Sequence, residues 1–111
     1  MSITTLVLLF SFFAHPKELL AKVLPAQEQG FATWYAYKGC NCAASTLYPK
    51  GSYLVVSRTD DPTKSVTVRV NDYGPNSKKH PERIIDLDKM AFKKIASLST
   101  GTVPVRVQLL Q

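Results

Sequence analysis

Three features of the sequence predict a small, mainly β barrel carrying one short helix. Valines alternate strictly at Val66, Val68 and Val70 and again at Val103, Val105 and Val107, the period-two signature of strands with one buried face. β-Prone aromatic and branched runs recur between Gly, Pro and Asp turn signals from Gly30 onward. Only the segment after Asp88 changes to helical spacing. The roughly eighty residues involved are too few for a layered α/β enzyme, and short strands bury so thin a core best by closing, or nearly closing, on one another.

The elements follow in order. Residues 1–29 carry an apolar run from Ile3 to Ala14, short of the ~20 residues that span a bilayer, and read as a secretory leader or as an N-terminal helix and linker. No Lys or Arg precedes the run, and no Cys follows it at a lipidation position. The domain proper is placed at residues 30–111. Its first strand is "GFATWYAY"; a second, "GSYLVVS", follows the turn signal Pro49-Lys50-Gly51. The polar hairpin loop "RTDDPTK" leads to a third, "KSVTVRVND", with its valines expected in the core and Thr67, Arg69 and Asn71 facing the other side. This strand stops on an acid, Asp72, at the turn Tyr73-Gly74-Pro75. After the polar loop "NSKKHPE" come a short strand, "RII", and a helix with Asp88 as N-cap, Ala91, Ile95 and Leu98 on one face and Gly101 as its stop. The last strand is "TVPVRVQLL", with Pro104 at an edge or entry position.

The formal charge is +6, and the cations from Lys38 to Arg106 are spread over the domain. Such a surface favours polyanions, and for an exported chain the accessible polyanion is the cell wall. Without a concentrated basic stripe, nucleic acid is not the expected partner. Export to periplasm, wall or extracellular space is expected, with no stable membrane insertion after leader removal. Cys40 and Cys42 form a C-x-C pair. Two thiols do not fill a tetrahedral zinc site, so no metal is expected, nor any other cofactor. A local disulfide and free thiols both stay open.

Taken together, "GFATWYAY", "YPKGSYLVV", "SVTVRVNDYGP", "RIIDLDKMAFKKIA" and "VPVRVQLL" resemble, in that order, the motifs of the rare lipoprotein A (RlpA-like) family. "RVNDYGP" followed by "RIIDLDKMA" is the specific part. The resemblance implies a six-stranded double-psi β-barrel related to those of expansins and barwin-like endoglucanases. It implies cell-wall glycans as ligand and, in some members, lytic cleavage of peptidoglycan. The acid of the family's N-D-R-G-P motif falls on Asp72, with Tyr73 in place of its Arg. The family's segment containing T-A-S-G-E and A-H-x-T-L-P shrinks here to "KGCNCAASTLYPKG". Its Glu has no counterpart, and Ser45 stands where its His is expected.

Hydrolysis of a glycoside normally takes two carboxyl groups. Lytic cleavage is less demanding: one acid protonates the glycosidic oxygen and then, as its conjugate base, draws the proton from the sugar's own 6-hydroxyl, giving a 1,6-anhydro product. Asp72 is the candidate for both steps, and a proton donor of this kind needs surroundings that raise its pKa. Asp60 and Asp61 sit in a hairpin loop, Glu82 in a polar loop and Asp88 at a helix start. Asp86 is expected as a structural acceptor tying backbone donors, and His80 as a solvated loop residue. Tyr73 and Tyr48 are expected to stack on sugar rings. Trp34, open to core or groove, Ser45 and Arg83 complete the binding set. Two functions follow: a lytic transglycosylase-like lyase using Asp72, and a non-catalytic, expansin-like module that binds or loosens wall polysaccharide without the missing Glu and His.

Overall fold

The computed structural model describes residues 27–76 and 78–110. The reading of residues 1–29 as leader or N-terminal helix thus lies, up to residue 26, outside the described residues. Six strands close into a barrel in the order β1-β5-β2-β4-β3-β6. They are β1 at Gln27–Tyr35, β2 at Cys42–Ala44, β3 at Tyr53–Arg58, β4 at Ser65–Asp72, β5 at Arg83–Asp88 and β6 at Val103–Leu109. β1 pairs with β5 and β2 with β4 in parallel, and every other contact is antiparallel. Two parallel pairs reached by crossing connections inside a closed barrel are the double-psi pattern.

The alternation is carried out as patterned. Val66, Val68 and Val70 of β4, Leu54 and Val56 of β3, and Val103, Val105 and Val107 of β6 all point inward. Ile85 and Leu87 of β5, with Ala32 and Ala43, complete the interior, and Phe92 and Ile95 pack into the same core. The parallel pair β1–β5 approaches so closely that a Cβ on Gly30 would lie 2.6 Å from Cγ2 of Ile84 and 2.9 Å from the Glu82 carbonyl. Only glycine lets the strands meet there. β1 starts pairing with β6 at Gln27, opposite Gln108, three residues before the strand start read from the sequence.

Three features depart from the expected layout. β2, inside "KGCNCAASTLYPKG", was not expected as a strand: three residues, all buried, are too few to display a period. Its existence is decided by pairing with β4 and β5. The helix, α1, is a single turn at Lys89–Phe92, and Leu98 falls in a separate 3-10 turn at Leu98–Thr100. Ser97 has extended backbone, with ψ at 141°, which interrupts the helical path before Leu98. Pro104 lies second in β6, an entry position, between two neighbours. A closed barrel has no edge for it to occupy.

Of the two states left open for the cysteines, the structure has the disulfide Cys40–Cys42. Arg58 ties the β3–β4 hairpin down: its Nε and Nη2 each donate to Asp60 at 2.8 Å, and its Nη1 donates to the Ile95 carbonyl at 3.1 Å.

Candidate functional site

Asp72 reaches its place through a bulge. Strict alternation in β4 would send it inward after Val66, Val68 and Val70. Pairing with β2 instead steps from Ala43↔Val70 to Ala44↔Asp72, leaving Asn71 as the extra residue; bulges re-aim side chains in this manner. Ala44 also pairs with Asp86 of β5, and Asp86 pairs with Thr33 of β1. Thr33, Asp86, Ala44 and Asp72 therefore form one row across four strands. Two strand spacings put the acids about 9–10 Å apart at the backbone. Small residues keep the space between them low: Gly74, at φ 144°, would carry a Cβ 3.5 Å from that of Ala44. Gly74 is joined to Pro75 by a cis peptide bond.

The three acids of this region have different surroundings. Asp88 is fully buried. One of its oxygens accepts from the backbone N–H of Lys38 and Gly39 at 3.0 and 3.2 Å, and the other caps α1 through the N–H of Met90 at 3.0 Å. Burial pushes this carboxyl up, but the N–H groups of Met90, Gly39, Lys38 and Cys40 outweigh it and hold it below the usual range. Asp86 is half-buried and accepts from the Thr33 hydroxyl at 2.9 Å. Burial raises its carboxyl, the Thr33 bond and the charge of Arg83 oppose the rise, the charge of Asp72 adds to it, and the outcome is upward. Asp72 accepts from the N–H of Tyr73 at 2.8 Å. The backbone donors expected on Asp86 are thus held by Asp88, while Asp86 accepts from a side chain and its carboxyl is raised. In "RIIDLD" both acids have the same strand parity, so alternation separates them from Ile85 and Leu87 but not from each other.

Tyr35 ends β1 beside them, in register with Asp88. Its hydroxyl is buried and, among the described residues, has no hydrogen-bond partner. Burial, then the charges of Asp72, Asp86 and Asp88, push the phenol up to about 12. Its ring lies 5.5 Å from that of Tyr37, over which Lys38 places its Nζ at 5.2 Å. Thr33 and Tyr35, on one face by parity, escaped the sequence reading because a strand gives every second residue the same face without saying which face lines a site.

The expected binding residues divide. Tyr73 is 69% exposed, directly after Asp72, with Lys50 Nζ 4.5 Å over its ring; a cation thus returns near the position where the family motif has Arg. Arg83 acts on Asp86 through its charge. Trp34 packs against the core and donates its Nε1 to the Leu98 carbonyl at 3.0 Å, a scaffold contact. Tyr48 is a core residue with 7% of its surface exposed, so it offers no ring face to a sugar. Ser45 is buried and its Oγ accepts from the N–H of Leu47 and Tyr48 at 3.1 and 3.2 Å, which uses it to build the turn after β2. Elsewhere, Asp60 is paired with Arg58, and His80 lies 3.5 Å from Glu82 in the expected surface loop. Cys40, Cys42 and Asp88 lie together, but the disulfide holds both sulfurs and backbone N–H groups hold the carboxylate.

The raised Asp86 carboxyl has a stability consequence of definite sign. The fold favours its protonated form, so Asp86 costs stability as pH rises from the unfolded value near ~3.9 through the higher folded value. Asp86→Asn is expected to flatten that part of a melting-temperature profile and to leave the barrel as stable as before, or more so, at neutral pH. A mutant destabilised at neutral pH would show Asp86 to be a structural acceptor after all.

Comparison with known proteins places this geometry in a family. A family model described as lytic transglycolase matches residues 27–107. The endolytic peptidoglycan transglycosylase RlpA of Vibrio cholerae is 38% identical over 98 residues, covering 75% of this chain and 35% of that protein. Its namesake in Pseudomonas aeruginosa is 38% identical over 94 residues, covering 71% of this chain and 26% of that protein. The chain thus spans about a third or less of the length of these relatives. Among solved structures, an expansin variant from Clavibacter michiganensis in complex with cellohexaose superposes with a TM-score of 0.59 at 17% identity, covering 78% of this chain and 51% of that one. The Streptomyces papain inhibitor superposes with a TM-score of 0.60 at 21% identity, covering 80% and 98%. These two share the barrel. The matched span, running from the first residue of β1 into β6 and containing both acids of the row, makes the chain a member of the lytic transglycolase family of double-psi β-barrels.

Proposed function

We propose that the chain is an exported wall domain that cleaves peptidoglycan glycan strands to 1,6-anhydro products. The observation carrying this reading is the pairing of Asp72 and Asp86 on either side of Ala44, with the Asp86 carboxyl raised. Asp86 protonates the glycosidic oxygen and the C1–O bond breaks. The 6-hydroxyl of the same sugar closes on C1 and gives its proton to Asp72, and solvent returns the site to its starting state. No water enters the product. This uses two carboxyls in place of the single one expected from the sequence, and neither role needs the family's Glu or His. The relatives named as peptidoglycan transglycosylases support the substrate class.

A second reading is a non-catalytic module that binds or loosens wall polysaccharide. The barrel of an expansin bound to cellohexaose favours it, as does the exposed Tyr73–Lys50 pair. The test is product analysis: purified protein is incubated with sacculi and the soluble fraction examined by mass spectrometry for 1,6-anhydro muropeptides. Their appearance supports the lyase. Their absence, with the protein still pelleting with sacculi, leaves the binding module.

Under either reading the spread of cations gives a checkable result. Pelleting with sacculi is expected to weaken steeply with salt, since exposed charges are screened beyond ~8 Å at physiological ionic strength. Tyr73→Ala is expected to weaken binding at high salt by roughly two- to tenfold, the range of an aromatic contact worth about 0.5–1.5 kcal/mol. Binding that ignores both salt and Tyr73 would remove this surface from the proposal.

A further inference from the structure

The Cys40–Cys42 bridge restrains the unfolded chain only weakly. A disulfide stabilises a fold more the longer the loop it closes, and this one joins residues two apart in sequence. Its position says more about its use. Cys42 is the first residue of β2 and pairs with Arg69 of β4, while Cys40 lies in the loop that follows β1. That loop hangs on Asp88 through the N–H groups of Lys38 and Gly39, and both sulfurs lie within 4.8 Å of an Asp88 carboxylate oxygen. On the other side, Asn71 Nδ2 lies 4.0 Å from Cys40 Sγ, and Asn71 is the extra residue of the bulge that puts Asp72 in the row. The Asn71 amide adds an independent observation. Its Oδ1 is buried and, among the described residues, has no partner, a costly state for an acceptor. The sulfur beside the amide has no hydrogen to give while it is part of a disulfide. A Cys40 thiol has one, and turning the amide over brings Oδ1 to face it. The oxidised form thus leaves an acceptor unsatisfied that the reduced form can satisfy.

We propose that Cys40–Cys42 is a thiol–disulfide exchange site that controls the row of acids: the disulfide clamps the loop after β1 against the bulge at Asn71, and reduction by a dithiol releases it. Cys40 is partly exposed and Cys42 is buried, with 3% of its surface accessible, so the incoming thiolate attacks Cys40 Sγ. The bond between the two cysteines breaks, and Cys42 leaves as a thiolate that takes up a proton. The second thiolate of the reductant then attacks its own sulfur in the mixed disulfide, and Cys40 leaves in the same way. Two electrons and two protons pass to the bridge, and the dithiol becomes a disulfide. Free cysteine is mostly protonated at neutral pH, which supplies the S–H that Asn71 Oδ1 accepts. Disulfides persist outside the cytoplasm, so for an exported chain the clamped form is the resting one and a dithiol is the trigger.

The inference rests on the glycan-cleaving reading only for its effect on rate, so the experiment separates the two. Folded protein is equilibrated at neutral pH with mixtures of reduced and oxidised dithiothreitol, and its thiols are counted. The bridge is expected to open without unfolding, giving two thiols per chain and a melting temperature lower by less than about 10 °C. In 15N-labelled protein the Asn71 side-chain amide and the N–H signals of Gly39 and Tyr73 are expected to differ between the two forms, while those of Val105 and Val107 in β6 coincide. Asn71→Ala removes the acceptor and is expected to move the exchange equilibrium toward the disulfide by about two- to tenfold. If the wild type releases anhydro muropeptides, release falls by about tenfold or more on reduction and recovers on reoxidation, as for a misplaced reacting group, and the double variant Cys40→Ser/Cys42→Ser does not respond to dithiothreitol. Shifted Asn71 and Tyr73 signals in a protein that releases nothing in either form keep the exchange site and remove the lyase reading. A bridge that opens only on denaturation overturns the proposal, as do Asn71 and Tyr73 signals that stay in place on reduction, an exchange equilibrium unchanged in Asn71→Ala, or equal release from both forms of an active protein.

Discussion

Asp72→Asn is expected to abolish release of anhydro muropeptides while leaving the barrel folded and able to pellet with sacculi. Among the described residues the carboxylate accepts one hydrogen bond, from the N–H of Tyr73 to Oδ1 at 2.8 Å, and the amide oxygen of Asn can accept the same bond. Stability should therefore stay within about 0.5 kcal/mol, as for a substitution that disturbs no packed or buried network. What the amide cannot do is take a proton from the sugar 6-hydroxyl, and loss of a positioned general base lowers a rate by about 10²–10⁴-fold. Binding survives because Tyr73, Lys50 and the dispersed cations are untouched. The informative comparison is melting, pelleting and product release measured together. A destabilised Asp72→Asn in a background where even wild type releases nothing would make Asp72 a turn-holding acceptor and sink the catalytic assignment.

Asp88→Ala is expected to produce the largest loss of stability of any single change in this region. The carboxylate is the common acceptor for the loop after β1, through Lys38 and Gly39, and for the first turn of α1, through Met90. Alanine leaves those donors facing a buried gap at about 1–3 kcal/mol each, so a loss of at least about 3 kcal/mol follows, on the order of 10–20 °C in a domain of this size. Asp88→Asn is expected to fall between, since one of its two ends presents N–H groups where an acceptor is needed. The pH dependence has the opposite sign to that of Asp86. The Asp88 carboxyl is held below its usual range, so its stabilisation is present above the unfolded value near ~3.9 and is lost as pH falls through the lower folded value. A melting series from pH 7 into acid should show wild type losing stability where Asp88→Ala has little left to lose. Equal acid sensitivity in both proteins would place the responsible carboxylate elsewhere.

Most of the barrel was legible because its strands repeat with period two over enough residues to show it. β3, β4 and β6 lie close to where the valine and leucine patterns put them. β2 was not legible, since Cys42–Ala44 is too short for a period and is held by neighbours distant in sequence. The helix was overextended for the reverse reason: Ala91, Ile95 and Leu98 keep helical spacing, but Ser97 breaks the backbone between them. At the site, the position of Asp72 at the end of a strand and before a turn could be read directly. The partner it faces could not.

The sequence by itself determined the class of fold, the inward faces of its long strands, the N-cap at Asp88 and the place of Asp72, because each of these follows from local pattern or from a short motif. Only the tertiary structure decided which side chains meet. Registry across β1, β5, β2 and β4 brings Thr33, Asp86, Ala44 and Asp72 into one row, and a bulge at Asn71 sets whether Asp72 faces the core or the row. Burial then separates two acids that the string "DLD" makes equivalent, giving Asp88 the backbone donors of Lys38, Gly39 and Met90 and a lowered carboxyl and leaving Asp86 with the Thr33 hydroxyl and a raised one. The same burial takes Tyr48 and Ser45 out of the binding set. Strand registry and desolvation are properties of surfaces brought together from distant parts of the chain, and residue spacing along the chain does not encode them.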